Sequence, residues 1–224
     1  MNDRRQVTVV GAGSFGTALA NHIANNGHEV CLWGRDAALL QSINSNHENY
    51  HYLPGIKLSS SIKCTENLSE ALVNASDVLL AVPSKHFKSF LDEIASATPD
   101  SCAVIWACKG LETGSGRFLS DVASDTFGDR RNYAVISGPT FARELASGLP
   151  TAVVAAANRS DYATVVASLL RNDRFRTYIS ADIRGVQLGG ALKNIYAIAA
   201  GISDGLNFGA NARVAVISLS LIHI

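Results

Sequence analysis

Near its start the chain reads VTVVGAGSFGTALANHIANNG, residues 7–27. An apolar run leads straight into Gly11-x-Gly13-x-x-Gly16, and a helix-compatible stretch follows. Alone the pattern is weak, but its place between a strand and a helix near the N-terminus constrains the fold. Three glycines at this spacing suit a strand that turns sharply into a helix. The first permits the tight turn, the second lets a pyrophosphate approach the backbone, and the third lets helix and strand pack closely. Amides left unpaired at the helix start then face the phosphates. The competing reading is a glycine turn with no ligand. The context favours a nucleotide, because the motif follows a strand, opens a helix and lies in a βαβ unit.

The rest of the chain repeats that alternation. Strand-like runs fall at 6–10, 29–33, 61–65, 77–82, 102–107, 133–137, 151–157 and 175–180. Helical spacing falls between them, at 15–26, 36–45, after Asn67, from Pro83-Ser84 to about 97, at 115–126 and at 159–171. Continuous apolar runs such as DVLLAV suit a sheet covered on both faces. The pattern predicts an α/β fold with a mostly parallel sheet and helices on both sides. Near residue 182 the pattern changes. Ile183–Ser203 contains no proline and keeps helical periodicity, which predicts one long helix. The expected division is a dinucleotide-binding domain over 1–181 and the beginning of a helical domain over 182–224.

Charge excludes some functions. Lys and Arg number 19 against 19 Asp and Glu, with no basic run, so neither nucleic acid nor an anionic membrane is an expected partner. No apolar run reaches the ~20 residues of a membrane span. The start, MNDRRQ, lacks the features of a signal peptide. Cys31, Cys64, Cys102 and Cys108 show no metal or disulfide spacing, which fits a reducing, cytoplasmic setting. His28 and His86 are expected on surfaces or helix ends. His47 and His51 lie four apart in a loop-like segment, and no metal site is read there.

The choice of nucleotide rests on LWGRD, residues 32–36. An acid at the end of the second strand would bind the ribose of NAD. Here Gly34 holds that place and Arg35 follows, a residue suited to the 2′-phosphate of NADP. Asp36 keeps NAD open, although it also suits the cap of the next helix.

Other segments lie beyond strand ends, where open α/β sheets present ligands. AVPS, 81–84, fits a cleft wall or a plain helix start. In WACKGLE, Lys109 could meet an anion or simply face water. In SGPTFARE, Gly138, Pro139 and Thr140 form a rigid turn that suits a phosphate or an ordinary helix start. The most informative stretch is GGALKNIYAIAAGISDG, 189–205. Lys193 and Asn194 interrupt a small, apolar helix. Partial desolvation would depress such an amine toward a range useful for proton transfer. A snorkelling lysine with its stem on apolar surface fits the same spacing.

Together the segments GAGSFGTALA, LWGRD, ACKGLE, SGPTFA, GGALKNIYAIAAG and GLNFGANAR resemble, in order, the NAD(P)-dependent glycerol-3-phosphate dehydrogenases of the bacterial type. The resemblance implies a Rossmann-like, doubly wound, mostly parallel sheet followed by an all-helical C-terminal domain. It implies an oxidoreductase of glycerol-3-phosphate metabolism that reduces dihydroxyacetone phosphate to sn-glycerol 3-phosphate with NADPH or NADH, for phospholipid biosynthesis. By that resemblance Ser14, Phe15, Arg35 and Ala142 would contact the dinucleotide beside Gly11, Gly13 and Gly16. Lys109 would touch both cofactor and substrate. Gly138 and Thr140 would border the substrate phosphate. Lys193 would be the general acid/base, with Asn194 helping to position it.

Two departures stand out. Gln187 replaces a Glu common in the family. About 40 residues follow position 182, fewer than the family's helical domain requires. That domain's later Asp and Arg-Asn pair have no counterpart, so a truncated sequence is expected, as is a homodimer that covers the unfinished helices. The alternative function is a dinucleotide-binding sensor, or an inactive fragment, without turnover.

Overall fold

The computed structural model describes residues 4–223. The chain begins with β1 (Gln6–Val10), α1 (Ser14–Asn25), β2 (Glu29–Trp33), α2 (Ala37–Asn46), β3 (Lys63–Thr65), α3 (Leu68–Leu72) and β4 (Asp77–Leu80). It continues with a 3-10 turn (Ser84–His86), α4 (Phe87–Ala97), β5 (Ala103–Trp106), α5 (Leu119–Phe127), β6 (Tyr133–Ser137) and α6 (Ala142–Ala146). Then follow β7 (Thr151–Ala157), α7 (Ser160–Leu170), β8 (Phe175–Ser180), α8 (Ile183–Gly205) and α9 (Ala210–His223).

The strands form one sheet in the order β3-β2-β1-β4-β5-β6-β7-β8. Every pairing is parallel except β6 with β7. Central strands are buried on both faces because their runs are continuously apolar. Successive residues feed opposite cores. Val9, Leu79 and Ile105 face one core, with Leu19 and Ile23 of α1, Leu40 of α2 and Val166 of α7. Val10, Leu80 and Trp106 face the other, with Phe87 and Leu91 of α4 and Val122 of α5. The order reverses between β1 and β4, which opens a crevice at their C-terminal ends.

Several local expectations change. The helix expected from 115 begins at Leu119, because residues 112–118 close a hydrogen-bonded turn, Glu112 N to Arg117 O at 2.9 Å and Gly116 N to Glu112 O at 3.0 Å. Pro83-Ser84 opens a short 3-10 turn before α4 rather than the α-helix itself. The long helix extends two residues past Ser203. His28 is not on the surface: it is 5% exposed, and its Nδ1 accepts the Arg5 N–H. The four cysteines are free, with Cys102 and Cys108 buried and Cys31 and Cys64 half-buried. Among the described residues no helix is long and apolar enough to cross a membrane.

Candidate active site

The glycine loop sits at the switch between β1 and β4. Gly11 has φ +118°, and a Cβ there would stand 2.7 Å from the Ala81 carbonyl oxygen at the end of β4. Gly16 carries the third close approach, since a Cβ would fall 1.9 Å from Gly11 O. Gly13 differs from both. A Cβ on it would meet nothing within 4 Å, so this position faces open space. Gly13 also caps α1, whose first intrahelical bond runs from Thr17 N to Gly13 O at 2.9 Å. No acidic side chain occupies that first turn. A helix start of this kind has amides and dipole free for an anion.

The adjoining cleft holds about 400 Å³ and is lined by Gly11, Gly13, Arg35, Tyr52, Pro83 and Phe90, among others. Arg35 is exposed there and forms no ion pair among the described residues. Asp36 is already engaged: its Oδ1 accepts Leu39 N at 3.0 Å and caps α2. The larger cavity, about 590 Å³, lies under α3 along the N-terminal halves of β1 and β2. Its lining mixes Arg4, Glu29, Lys63 and Glu70, and it stands away from the strand ends where such sheets bind ligands.

Lys109 follows β5 on the loop that borders this crevice. A Cβ on the next residue, Gly110, would lie 3.3 Å from Ser84 Oγ, so the AVPS and ACKG segments touch. The Lys109 ammonium lies 5.5 Å from the centre of the Phe15 ring, a cation–π contact that joins the loop to the glycine helix. From the other side α8 brings Lys193 against Lys109. Burial pushes the Lys109 amine down to about 8, and the neighbouring Lys193 adds to the fall. The sequence left Lys193 open between a depressed amine and a snorkelling side chain; the amine pushed down in the structure is that of Lys109, on the loop opposite α8. Neither lysine forms an ion pair with a carboxylate among the described residues.

Close packing sets the position of α8. Gly190 lies over the end of β6, where a Cβ would be 2.7 Å from Ser137 Oγ. Gln187 is 5% exposed and fastens the helix to α5, accepting Ser120 N at 3.0 Å. The turn after β6 is tighter than the sequence suggests, for Thr140 N is bonded to Gly138 O at 3.0 Å. Gly138 answers to β7, since a Cβ would meet Ala152 O at 2.6 Å. Thr140 is 8% exposed, and its hydroxyl is buried without a partner. Ala142 is half-buried at the start of α6, and Asn194 is exposed with no hydrogen bond among the described residues. The Ser14 hydroxyl donates to Tyr52 O at 2.8 Å.

Sequence reasoning missed Tyr52 and Asn49. Both belong to the loop NHENYHYLPG, whose polar, aromatic composition carried no recognisable motif. Its aromatic residues pack edge to face, His51 on Tyr52 at 4.4 Å. Among the described residues no cluster of His, Cys, Asp or Glu is arranged to hold a metal.

A parallel sheet with a glycine cradle at its switch point is the class of open α/β fold that receives dinucleotides, and here two lysines meet across the same crevice. The chain belongs to the NAD-dependent glycerol-3-phosphate dehydrogenase family. The model of that family's N-terminus matches residues 6–163, and the model of its C-terminus matches 182–224. A glycerol-3-phosphate dehydrogenase [NAD(P)+] of Xanthomonas campestris pv. campestris (strain B100) is 44% identical over 222 residues, covering 99% of this chain and 65% of the relative. One from Stenotrophomonas maltophilia (strain K279a) is 43% identical over 216 residues, 96% of this chain and 63% of that protein. The chain thus spans about two thirds of the length of these curated relatives. The crystal structure of glycerol-3-phosphate dehydrogenase from Coxiella burnetii superposes with a TM-score of 0.88 at 38% identity, over 98% of this chain and 67% of that one. The Plasmodium falciparum enzyme, 24% identical, shares the fold with a TM-score of 0.90 over 98% of this chain and 64% of its own.

Proposed function

We propose that this chain serves an oxidoreductase that reduces dihydroxyacetone phosphate to sn-glycerol 3-phosphate with NADPH or NADH, a cytoplasmic step feeding glycerophospholipid synthesis. The observation that carries the reading is the meeting of Lys109 and Lys193, uncompensated by any described carboxylate, beside the glycine cradle. Two adjacent amines repel each other unless an anion lies between them. A phosphorylated ketone supplies that negative charge.

The residues fit a dinucleotide. Gly13 leaves room for a pyrophosphate, the α1 start offers unpaired amides, and Arg35 stands free on the cleft for a 2′-phosphate. Because Asp36 is committed to capping α2, NADP is the preferred cofactor and NAD the tolerated one. Ser14, Phe15 and Ala142 complete the contacts to it. When bound, the nicotinamide supplies the hydride for the ketone carbon. Lys193 then delivers a proton from Nζ to the oxygen that becomes an alkoxide, acting as general acid. Lys109 supplies fixed positive charge where negative charge develops. Gly138 and the unpartnered Thr140 hydroxyl border the phosphate end, and Asn194 steadies the substrate beside Lys193. In this reading residues 1–181 hold the cofactor and 182–224 belong to the helical substrate domain. The free thiols agree with a reducing compartment.

The test is NADPH oxidation with dihydroxyacetone phosphate. It is run on this chain and on a chimera carrying the C-terminal residues of the Xanthomonas relative. Turnover in either supports the reading, and Lys193→Ala should lower kcat by about 10²-fold or more. A near-unaltered rate in Lys193→Ala would sink the proton-donor role. Nucleotide binding without turnover in both proteins would make the chain a dinucleotide sensor instead.

A further inference from the structure

The loop between α2 and β3 is built into the glycine cradle. It leaves α2 at His47 and is closed by Leu58 N donating to His47 O at 2.8 Å. Leu53 and Leu58 anchor it in the core, at 2% and 3% exposure. At its centre Asn49 is fully buried. The Asn49 amide group donates to Ala12 O at 3.0 Å and to Thr17 Oγ1 at 2.8 Å, and its Oδ1 accepts Tyr52 N at 3.0 Å. A buried primary amide has four hydrogen-bonding positions, and three are filled here, two by Ala12 and Thr17 of the glycine segment and one by Tyr52 of its own loop.

The bond to Ala12 has a consequence for the cradle. The peptide joining Ala12 to Gly13 is planar and trans, so its N–H points opposite to its carbonyl. Holding the Ala12 carbonyl toward Asn49 therefore aims the Gly13 N–H away from Asn49. That N–H has no hydrogen-bond partner among the described residues, and Gly13 lines the cleft. The bond to Thr17 fixes the first turn of α1 at the same time. Tyr52 forms part of the cleft wall, and its carbonyl holds the Ser14 hydroxyl.

We propose that Asn49 is a positioning residue for cofactor binding, locking the Ala12–Gly13 peptide and the start of α1 in the orientation that receives a diphosphate. It touches no cofactor itself. The proposal rests on the dinucleotide reading above and extends it to a residue outside the glycine motif. A purely structural asparagine would lower stability and weaken every nucleotide alike. A positioning asparagine discriminates between ligands that carry a diphosphate and those that do not.

The experiment measures the Kd of NADPH and of 2′-AMP by calorimetry, on the unaltered chain and on Asn49→Ala, with melting temperatures alongside. 2′-AMP keeps the group read by Arg35 and lacks the diphosphate. The expected result is an NADPH Kd raised about tenfold, the scale of one or two lost hydrogen bonds to a ligand-ordering group, with the 2′-AMP Kd within about twofold. Equal weakening of both ligands, or an unchanged NADPH Kd, would overturn the proposal. Should Asn49→Ala fail to fold, Thr17→Val removes one of the three bonds at nearly constant shape, and the same selective loss is expected in smaller degree. Failure of the unaltered chain to bind NADPH would bring down the dinucleotide reading and this proposal together. NADPH binding that Asn49→Ala and Thr17→Val leave intact would bring down the proposal alone.

Discussion

Lys109 shows how a single side chain takes its chemistry from residues distant in sequence. Its amine is depressed from 10.5 to about 8, first by burial and then by Lys193. The folded chain binds fewer protons at this group than the unfolded chain between about pH 8 and 10.5. Its cost to folding is therefore present below about pH 8 and relieved as pH rises from there. An anion between the lysines raises the amine again, so a phosphorylated ligand should bind more weakly as pH climbs past about 8. Competitive acetylation read by mass spectrometry checks this at residue resolution. Lys109 should label with a midpoint near pH 8, and Lys193→Ala should move that midpoint upward. A Lys109 midpoint indistinguishable from those of exposed lysines would refute the arrangement. At this scale the sequence was informative about identity and not about partnership. Gly11, Arg35 and Lys109 could be picked out from their places after strands. That Phe15 lies under Lys109, or that Asn49 holds Ala12, depends on how the sheet brings distant loops together, and no local spacing encodes it.

At the scale of elements, legibility followed physical signal. Strands with continuous Val, Ile, Leu and Ala were readable because burial on both faces demands such runs. Asn67 announced α3, and its side chain does accept Glu70 N. The five residues of α6 were too few for periodicity to register, and the antiparallel turn of β7 left no mark in composition. The long-range ties between elements were equally silent. Asp77, at the start of β4, is fully buried; it pairs with Arg5 and accepts the Tyr162 hydroxyl of α7 at 2.8 Å. Burial and the adjacent carboxylate push the Tyr162 phenol well above its usual range, so it remains a donor. Tyr162→Phe should cost about 1–3 kcal/mol, because a buried acceptor loses its partner. Thermal unfolding should show a lower Tm, while NADPH affinity stays unchanged, since Asp77 lies at the strand end opposite the cradle. A fall in affinity as large as the fall in stability would mean that the two ends of the sheet are coupled.

The whole molecule joins two surfaces of different character. The sheet and its covering helices have alternating cores that are closed on both faces. The C-terminal half of α8 and residues 210–218 of α9 are open. Ile195, Ile198 and Ile202 follow one another at helical spacing and are 60%, 64% and 57% exposed. Leu206, Phe208 and Val214 extend the apolar surface at 58%, 65% and 59%. Their spacing made the long helix readable in the sequence, yet the same residues lack the packing that such spacing normally implies. Large apolar side chains exposed in a row along a helix favour association when nothing else covers them. The 224-residue chain should therefore self-associate, and the homodimer expected from the sequence is the smallest assembly that would cover the stripe. Sedimentation velocity over a concentration series tests this. Ile198→Lys with Ile202→Lys should shift the population toward monomer. Within one chain both side chains face water, so the fold should persist, and any fall in melting temperature should vanish on dilution, because it reports only the lost association. NADPH binding should persist in the double variant, because the cradle lies on the sheet side of the molecule. A chain that remains monomeric at high micromolar concentration, with or without the two lysines, would show that the exposed isoleucines do not drive association.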